Sequence, residues 1–157
     1  MSGARPSLAS PAILIATGFG SGYLPKAPGT WGSLLAALLA WPLAGAGGAP
    51  ALIAAAILAT VAGLWAVRVY VDRTGESDPG PVVVDEFAGQ WIALAVCPLD
   101  PVWWLAGFLV FRVIDIAKPF PAGWIDRNVK GPLGVMLDDL VAGVYSAALL
   151  LAAVTWI

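Results

Sequence analysis

Half of the ten carboxylates in this chain fall in three short stretches. Asp85 and Glu86 lie in VVVDEFAGQW, Asp115 in FRVIDIAKPFP, and Asp138 and Asp139 in GVMLDDLVAGVY. Carboxylate oxygens are hard ligands, and two adjacent pairs with a fifth acid between them would suit Mg²⁺. A plainer role is open to the pairs: each could cap a helix and complement its dipole. A cap needs one acid, however, and each pair supplies two. Arg112, Asp115 and Lys118 are spaced three apart, which makes neighbours on a helix face. That spacing serves a salt-bridge ladder, or it serves Asp115 on a metal with Arg112 and Lys118 on a phosphate.

Two further stretches carry phosphate-compatible chemistry. GFGSGYLPKAPGTWGS places Lys26, Gly29 and Thr30 just before or within a helix start, where backbone N–H groups favour anions. Its spacing fits neither a P-loop nor a dinucleotide fingerprint, and close helix packing by small residues would use the same composition. PFPAGWIDRNVKG mixes Phe120, Trp124 and Ile125 with Arg127 and Lys130. It reads as an interfacial segment drawing anionic headgroups, or as an aromatic and basic anchor alone. The chain has no His, which excludes His-ligated zinc, a phosphohistidine and a His general base. Its single Cys97 excludes a disulfide framework and a Cys-cluster metal site. A cysteine phosphatase loop would need Arg where Trp103 stands.

These residues sit in a chain that is 60% hydrophobic and 11% charged, against roughly 25% charged for soluble domains. The composition is that of a membrane protein. A net charge of −2 argues against a nucleic-acid partner, which would leave a basic stripe. The first twenty residues are interrupted by Gly and Pro, so no cleaved signal peptide is expected. Ala27 to Val67 carries no charge. As one helix it would run about 60 Å, twice the hydrocarbon core, so it must fold back at Gly45–Pro50 into helices near 31–44 and 51–71. Phe87–Leu99 and Pro101–Phe111 are two shorter apolar runs, and a last helix is expected from about Asp138 to Ile157. The expected fold is all-α: one domain over 1–157, a polytopic bundle of about five transmembrane helices, with Ser10–Phe19 an added re-entrant or interfacial helix. All eight basic residues then fall on one side, with only Asp100 opposite. The basic side is cytoplasmic by the positive-inside rule. Counting about 1.5 Å per residue from Asp100 puts Asp85, Glu86, Arg112 and Asp115 roughly 18–22 Å down, near the inner boundary. Asp138 and Asp139 reach a similar depth when counted from the C-terminus. Charges there are costly unless they pair, ligate or line a wet cavity.

Taken together and in order, GFGSGYLPKAPGTWGSL, VDEFAGQW, FRVIDIAKPFP, WIDRNVKG and GVMLDDLVAGV resemble the bacterial phosphatidylglycerophosphatase A family. The resemblance spans about residues 17 to 145. One departure is Pro132 after Gly131, where the family often doubles a glycine. The resemblance implies a Mg²⁺-dependent, multi-pass enzyme of the bacterial inner membrane, its site facing the cytoplasm. Such an enzyme removes the terminal phosphate of phosphatidylglycerophosphate to give phosphatidylglycerol.

On this reading Asp85, Glu86, Asp115, Asp138 and Asp139 hold Mg²⁺. Asp139, Asp138 and Asp115 are the catalytic candidates, with one of them orienting or deprotonating a water. Lys26, Gly29, Thr30, Arg112, Lys118 and Arg127 bind phosphate. The partners expected are the lipid substrate and surrounding membrane lipids, and small-residue faces would suit a homo-oligomer. The competing class is a small cation-coupled transporter or channel-like bundle using the same carboxylates as a relay. It predicts charges strung along a path across the membrane rather than gathered at one level.

Overall fold

The computed structural model describes residues 5–156, and all its regular elements are helical. We label them α1 (Pro11–Ala16), α2 (Pro28–Thr74), α3 (Val84–Leu94), α4 (Pro101–Ala117), α5 (Ala122–Asn128) and α6 (Pro132–Trp156). A 3-10 turn at Ser21–Tyr23 links α1 to α2.

The uncharged stretch folds as its length requires. α2 is broken at Gly48, whose φ of 60° and ψ of −153° are not helical, with Pro50 two residues on. Ala37 and Ala40 of the first limb share one core cluster with Leu52 of the second, so the limbs return on each other as a hairpin. They are somewhat longer than expected, about 30 Å for residues 28–47 and 39 Å for 49–74.

Among the described residues, two helices, α2 and α6, are long and apolar enough to cross a membrane. Their most apolar windows are only 28% and 39% buried, whereas the core helix of a soluble domain is mostly covered. Outward positions such as Leu38, Leu58 and Val61 of α2 are more than half exposed. The other segments fall short of the roughly 20 residues that a single crossing needs. α3, with 11 residues, is roughly 16 Å long. α4 has 17 residues. α1 has six, too few to cross at ~1.5 Å each.

α3 is the axis of the bundle. Eight of its residues are buried, and it packs between α2, α4 and α6. Ala93 of α3, Phe111 of α4, and Ala142 and Leu150 of α6 form one apolar cluster. Val84 and Ala88 join Ala66 and Val67 of the second α2 limb and Met136 of α6 in another. α4 begins at Asp100, whose carboxylate accepts from the backbone N–H groups of Val102 (2.9 Å) and Trp103 (3.3 Å), with Pro101 at the first helical position. α6 starts earlier than expected. Pro132 opens it, so Asp138 and Asp139 lie two turns inside the helix. They are not its cap. The expected end at Ile157 lies outside the described residues.

A buried carboxylate cluster as the candidate functional site

Three helices bring the acids together. Asp85 and Glu86 stand in the first turn of α3, Asp115 in the last turn of α4 and Asp138 and Asp139 in α6. All five line one cavity of about 320 Å³, together with Gly29, Arg112, Lys118, Asp126 and Lys130. One oxygen from each of Asp85, Glu86 and Asp139 lies within 4.8 Å of the other two. This closeness depends on the contact between α3 and α6. A Cβ on Gly89 would stand 2.6 Å from the Asp139 carbonyl oxygen, and one on Gly143 would stand 2.6 Å from the Gly89 carbonyl oxygen. Only glycine at both places lets the backbones meet and sets Asp139 beside the α3 acids.

The acids are buried: Asp139 is 3% exposed and Asp138 6%. Asp85 Oδ1, Glu86 Oε2, Asp138 Oδ1 and Asp139 Oδ2 have no hydrogen-bond partner among the described residues. Unpartnered buried carboxylate oxygens are expensive, and several of them converging on one cavity form a donor set that fits a hard divalent cation.

The basic residues differ in what they hold. Arg112 Nη1 donates to Asp115 Oδ2 at 2.7 Å and to Ser33 Oγ at 3.2 Å. The expected i,i+3 pair on α4 is therefore present, and Arg112 is engaged with it. Lys118 leaves that face. It caps α4 in a left-handed conformation with φ of 44°, which costs a non-glycine residue roughly 1–3 kcal/mol. Its ammonium donates to Asp126 Oδ1 at 2.7 Å and to Asp138 Oδ2. Partial burial alone would lower its pKa, but the two carboxylates outweigh that and raise it above the ordinary lysine value.

The glycine-rich stretch contributes the α2 N-terminus, where Pro28 and Gly29 line the cavity. A Cβ on Gly29 would collide with Glu86 Oε1, so this close approach also needs glycine. The positive ends of α2 and α3 both face the cavity, which favours anions there. Lys26, Thr30 and Arg127 lie outside the lining residues, and Lys26 and Arg127 are exposed. Sequence reasoning missed Asp126, which pairs with Lys118, and Ser33, which holds Arg112. The signals available were Asp126 beside Arg127 in WIDRNVKG and Ser33 closing GTWGS.

The chain matches the phosphatidylglycerophosphatase A family over residues 14–154. It is 41% identical to phosphatidylglycerophosphatase A of Escherichia coli, an alignment covering 93% of this chain and 85% of that one. It is 38% identical to phosphatidylglycerophosphatase A of Haemophilus influenzae, covering 96% and 93%. A Bacteroides thetaiotaomicron protein, provisionally named a phosphatidylinositol-3-phosphatase, is 43% identical with 98% of each chain covered. No solved structure matches significantly. By the extent of these matches, the chain belongs to the phosphatidylglycerophosphatase A family.

Proposed function

We propose that this chain hydrolyses the terminal phosphate monoester of phosphatidylglycerophosphate, with Mg²⁺, at the cytoplasmic side of the bacterial inner membrane. Membership of the family makes it a phosphoric monoester hydrolase. The observation that carries the Mg²⁺ reading is the meeting of Asp85, Glu86 and Asp139 oxygens within 4.8 Å, with unpartnered oxygens on all three. These residues would hold the ion, with Asp115 and Asp138 beside them in the cavity. When bound, Mg²⁺ lowers the pKa of a coordinated water and offsets phosphoryl charge.

The chain's own groups do the rest. Asp139 orients the attacking water and accepts its proton. The water oxygen bonds to phosphorus as the phosphorus–oxygen bond to glycerol breaks; the departing oxygen takes a proton from solvent as phosphatidylglycerol leaves, and Asp139 returns its proton to solvent. Gly29 lets the phosphate approach the α2 N-terminus, where no side chain intervenes and the helix dipole favours it. Lys118 supplies a positive charge on the opposite wall, while Arg112 keeps Asp115 in place. Lys26 and Arg127, exposed and outside the lining, act at longer range by drawing the anionic headgroup inward. The clustering of charge at one cavity favours this reading over a transport path. The α2 hairpin and α6 support a multi-pass reading, in which α3 and α4 complete the crossing as a packed unit.

The test is release of inorganic phosphate by purified protein in mixed micelles. The panel is phosphatidylglycerophosphate, phosphatidate and phosphatidylinositol 3-phosphate, each with Mg²⁺ and with EDTA. Release from phosphatidylglycerophosphate only with Mg²⁺ is expected. Release unaffected by EDTA would remove the metal, and release only from the inositol lipid would reassign the substrate.

A further inference from the structure

A second cavity, about 360 Å³, lies on the other side of α3 from the acids. Its walls are almost wholly apolar. Along α3 it is lined by Val84, Phe87 and Trp91, the i, i+3, i+7 face of the helix. Facing them on the second α2 limb are Ala55, Ala59 and Ala62, again one face, whose small side chains leave the space open. The wall is held in place: Trp91 Nε1 donates to the Ala36 carbonyl at 2.8 Å, and the Phe87 and Trp91 rings meet edge to face at 5.6 Å. At the rim, Phe19 and Leu58 are 60% and 69% exposed, so the groove opens sideways.

This groove and the acid site are lined from opposite faces of the same first turn of α3. Val84 lines the apolar cavity, and Asp85 and Glu86, the next two residues, line the polar one. From Val84 to Trp91 the groove follows α3 for about 10 Å, away from the acids and toward the Gly48 break. A ligand spanning both must carry phosphate at one end and hydrocarbon at the other. We infer that the groove between α3 and the second limb of α2 docks an acyl chain of the phosphorylated lipid whose headgroup enters the carboxylate cavity. The inference rests on the lipid phosphatase reading and adds where the substrate's tail goes. Held there, the acyl chain fixes the depth at which the headgroup meets Asp85 and Glu86.

Two measurements on the full-length protein in detergent micelles test it. The first compares dioleoyl with dihexanoyl phosphatidylglycerophosphate in wild type, Ala59→Leu and Ala55→Leu. Filling the groove displaces about two methylenes of the tail, so KM for the dioleoyl lipid should rise roughly tenfold, with kcat/KM for the dihexanoyl lipid within about twofold of wild type. Equal loss on both lipids in both variants, or an unchanged dioleoyl KM in a variant active on the short lipid, overturns the groove. The second measurement is photolabelling by phosphatidylglycerol with a diazirine in its acyl chain, mapped by peptide. Label concentrated on 55–62 and 84–91 supports docking. Label spread equally over the exposed α4 stripe Val102, Leu105, Leu109 and Val113 overturns it. Labelling reads the groove without turnover, whereas a wild type that releases no phosphate from either lipid would refute only the phosphatase reading.

Discussion

Lys118, the C-terminal cap of α4, donates to Asp138 on α6, twenty residues further along the chain. The same ammonium holds Asp126 on α5 at 2.7 Å. One lysine thus ties α4, α5 and α6 together at the cavity. Among the described residues it is also the only partner of the Asp138 carboxylate, whose other oxygen is buried and unpartnered. Lys118→Ala would leave a buried charge with nothing opposite, at a cost of about 1–3 kcal/mol. We expect a melting temperature several degrees lower and phosphate release reduced in parallel, while Lys118→Arg retains part of both. Because the Lys118 pKa is raised, its stabilising contribution is complete below the unfolded lysine value. It is lost only as pH climbs through the higher folded value. The melting difference between wild type and Lys118→Ala should therefore be flat from about pH 6 to 9. A difference that vanished by pH 9 would mean the lysine does not hold these carboxylates.

Asp139 joins the metal-compatible cluster while keeping Oδ2 unpartnered. Asp139→Asn preserves shape and removes the charge. Phosphate release should fall by about 10²-fold or more, with membrane insertion and gel-filtration profile unchanged. Near-normal turnover would take Asp139 out of the chemistry.

The same cluster makes metal binding visible without catalysis. A cation that relieves the three unpartnered carboxylate oxygens of this cluster binds the folded chain alone, and at a hundredfold excess over Kd it stabilises by roughly 2.7 kcal/mol. Mg²⁺ should raise the melting temperature by ~5 °C or more, and EDTA should reverse it. Asp85→Asn should lose most of that shift. An equal shift in that variant would indicate binding elsewhere on the protein.

What the sequence made legible follows the distance over which its signals act. The α2 hairpin was readable because an uncharged run too long for one crossing is broken by Gly48 and Pro50. The acids and Arg112 were readable because buried charges in an apolar chain need a shared reason. The start of α6 was not, because its onset was placed at the charges, while Pro132 at the first helical position is itself a start signal. Spacing arithmetic put Lys118 on the Arg112 and Asp115 face, but α4 ends at Ala117 and the left-handed turn at Lys118 swings its side chain toward α5 and α6. Asp126 was missed for the same reason, since its role exists only once that turn is made. Of the expected crossings, α2 and α6 are the helices long and apolar enough to span among the described residues, and hydropathy does not reveal that α3 stops at Leu94.

Lys26 is exposed and outside the cavity lining, so its effect on an anionic lipid should be electrostatic and at range. Lys26→Ala should raise KM about two- to threefold at low ionic strength, leave kcat unchanged, and lose its effect as salt shortens the Debye length to roughly 8 Å. A salt-independent rise in KM would instead place the ammonium in direct contact with the phosphate.

Gly89 tests whether the spacing between helices, rather than the identity of the acids, makes the site. A methyl group there would press on the Asp139 carbonyl oxygen at 2.6 Å and on the Phe111 ring at 2.6 and 2.7 Å. Both neighbours are packed, since Phe111 is fully buried, so α3 must move off α6. Overpacking of this kind costs about 1–3 kcal/mol, which a bundle of this size should survive as a folded protein. A displacement near 1 Å between Asp139 and the α3 acids is enough to lower turnover by about 10²-fold. Gly89→Ala should therefore stay helical by circular dichroism, lose activity to that extent, and show a smaller Mg²⁺-induced rise in melting temperature. Gly45→Ala is the matched control: it lies in α2, and the nearest atom to its added methyl is Leu99 Cδ2 at 3.9 Å. It should keep wild-type turnover. Equal behaviour of the two variants would mean that the approach of α3 to α6 does not set the geometry of the carboxylates.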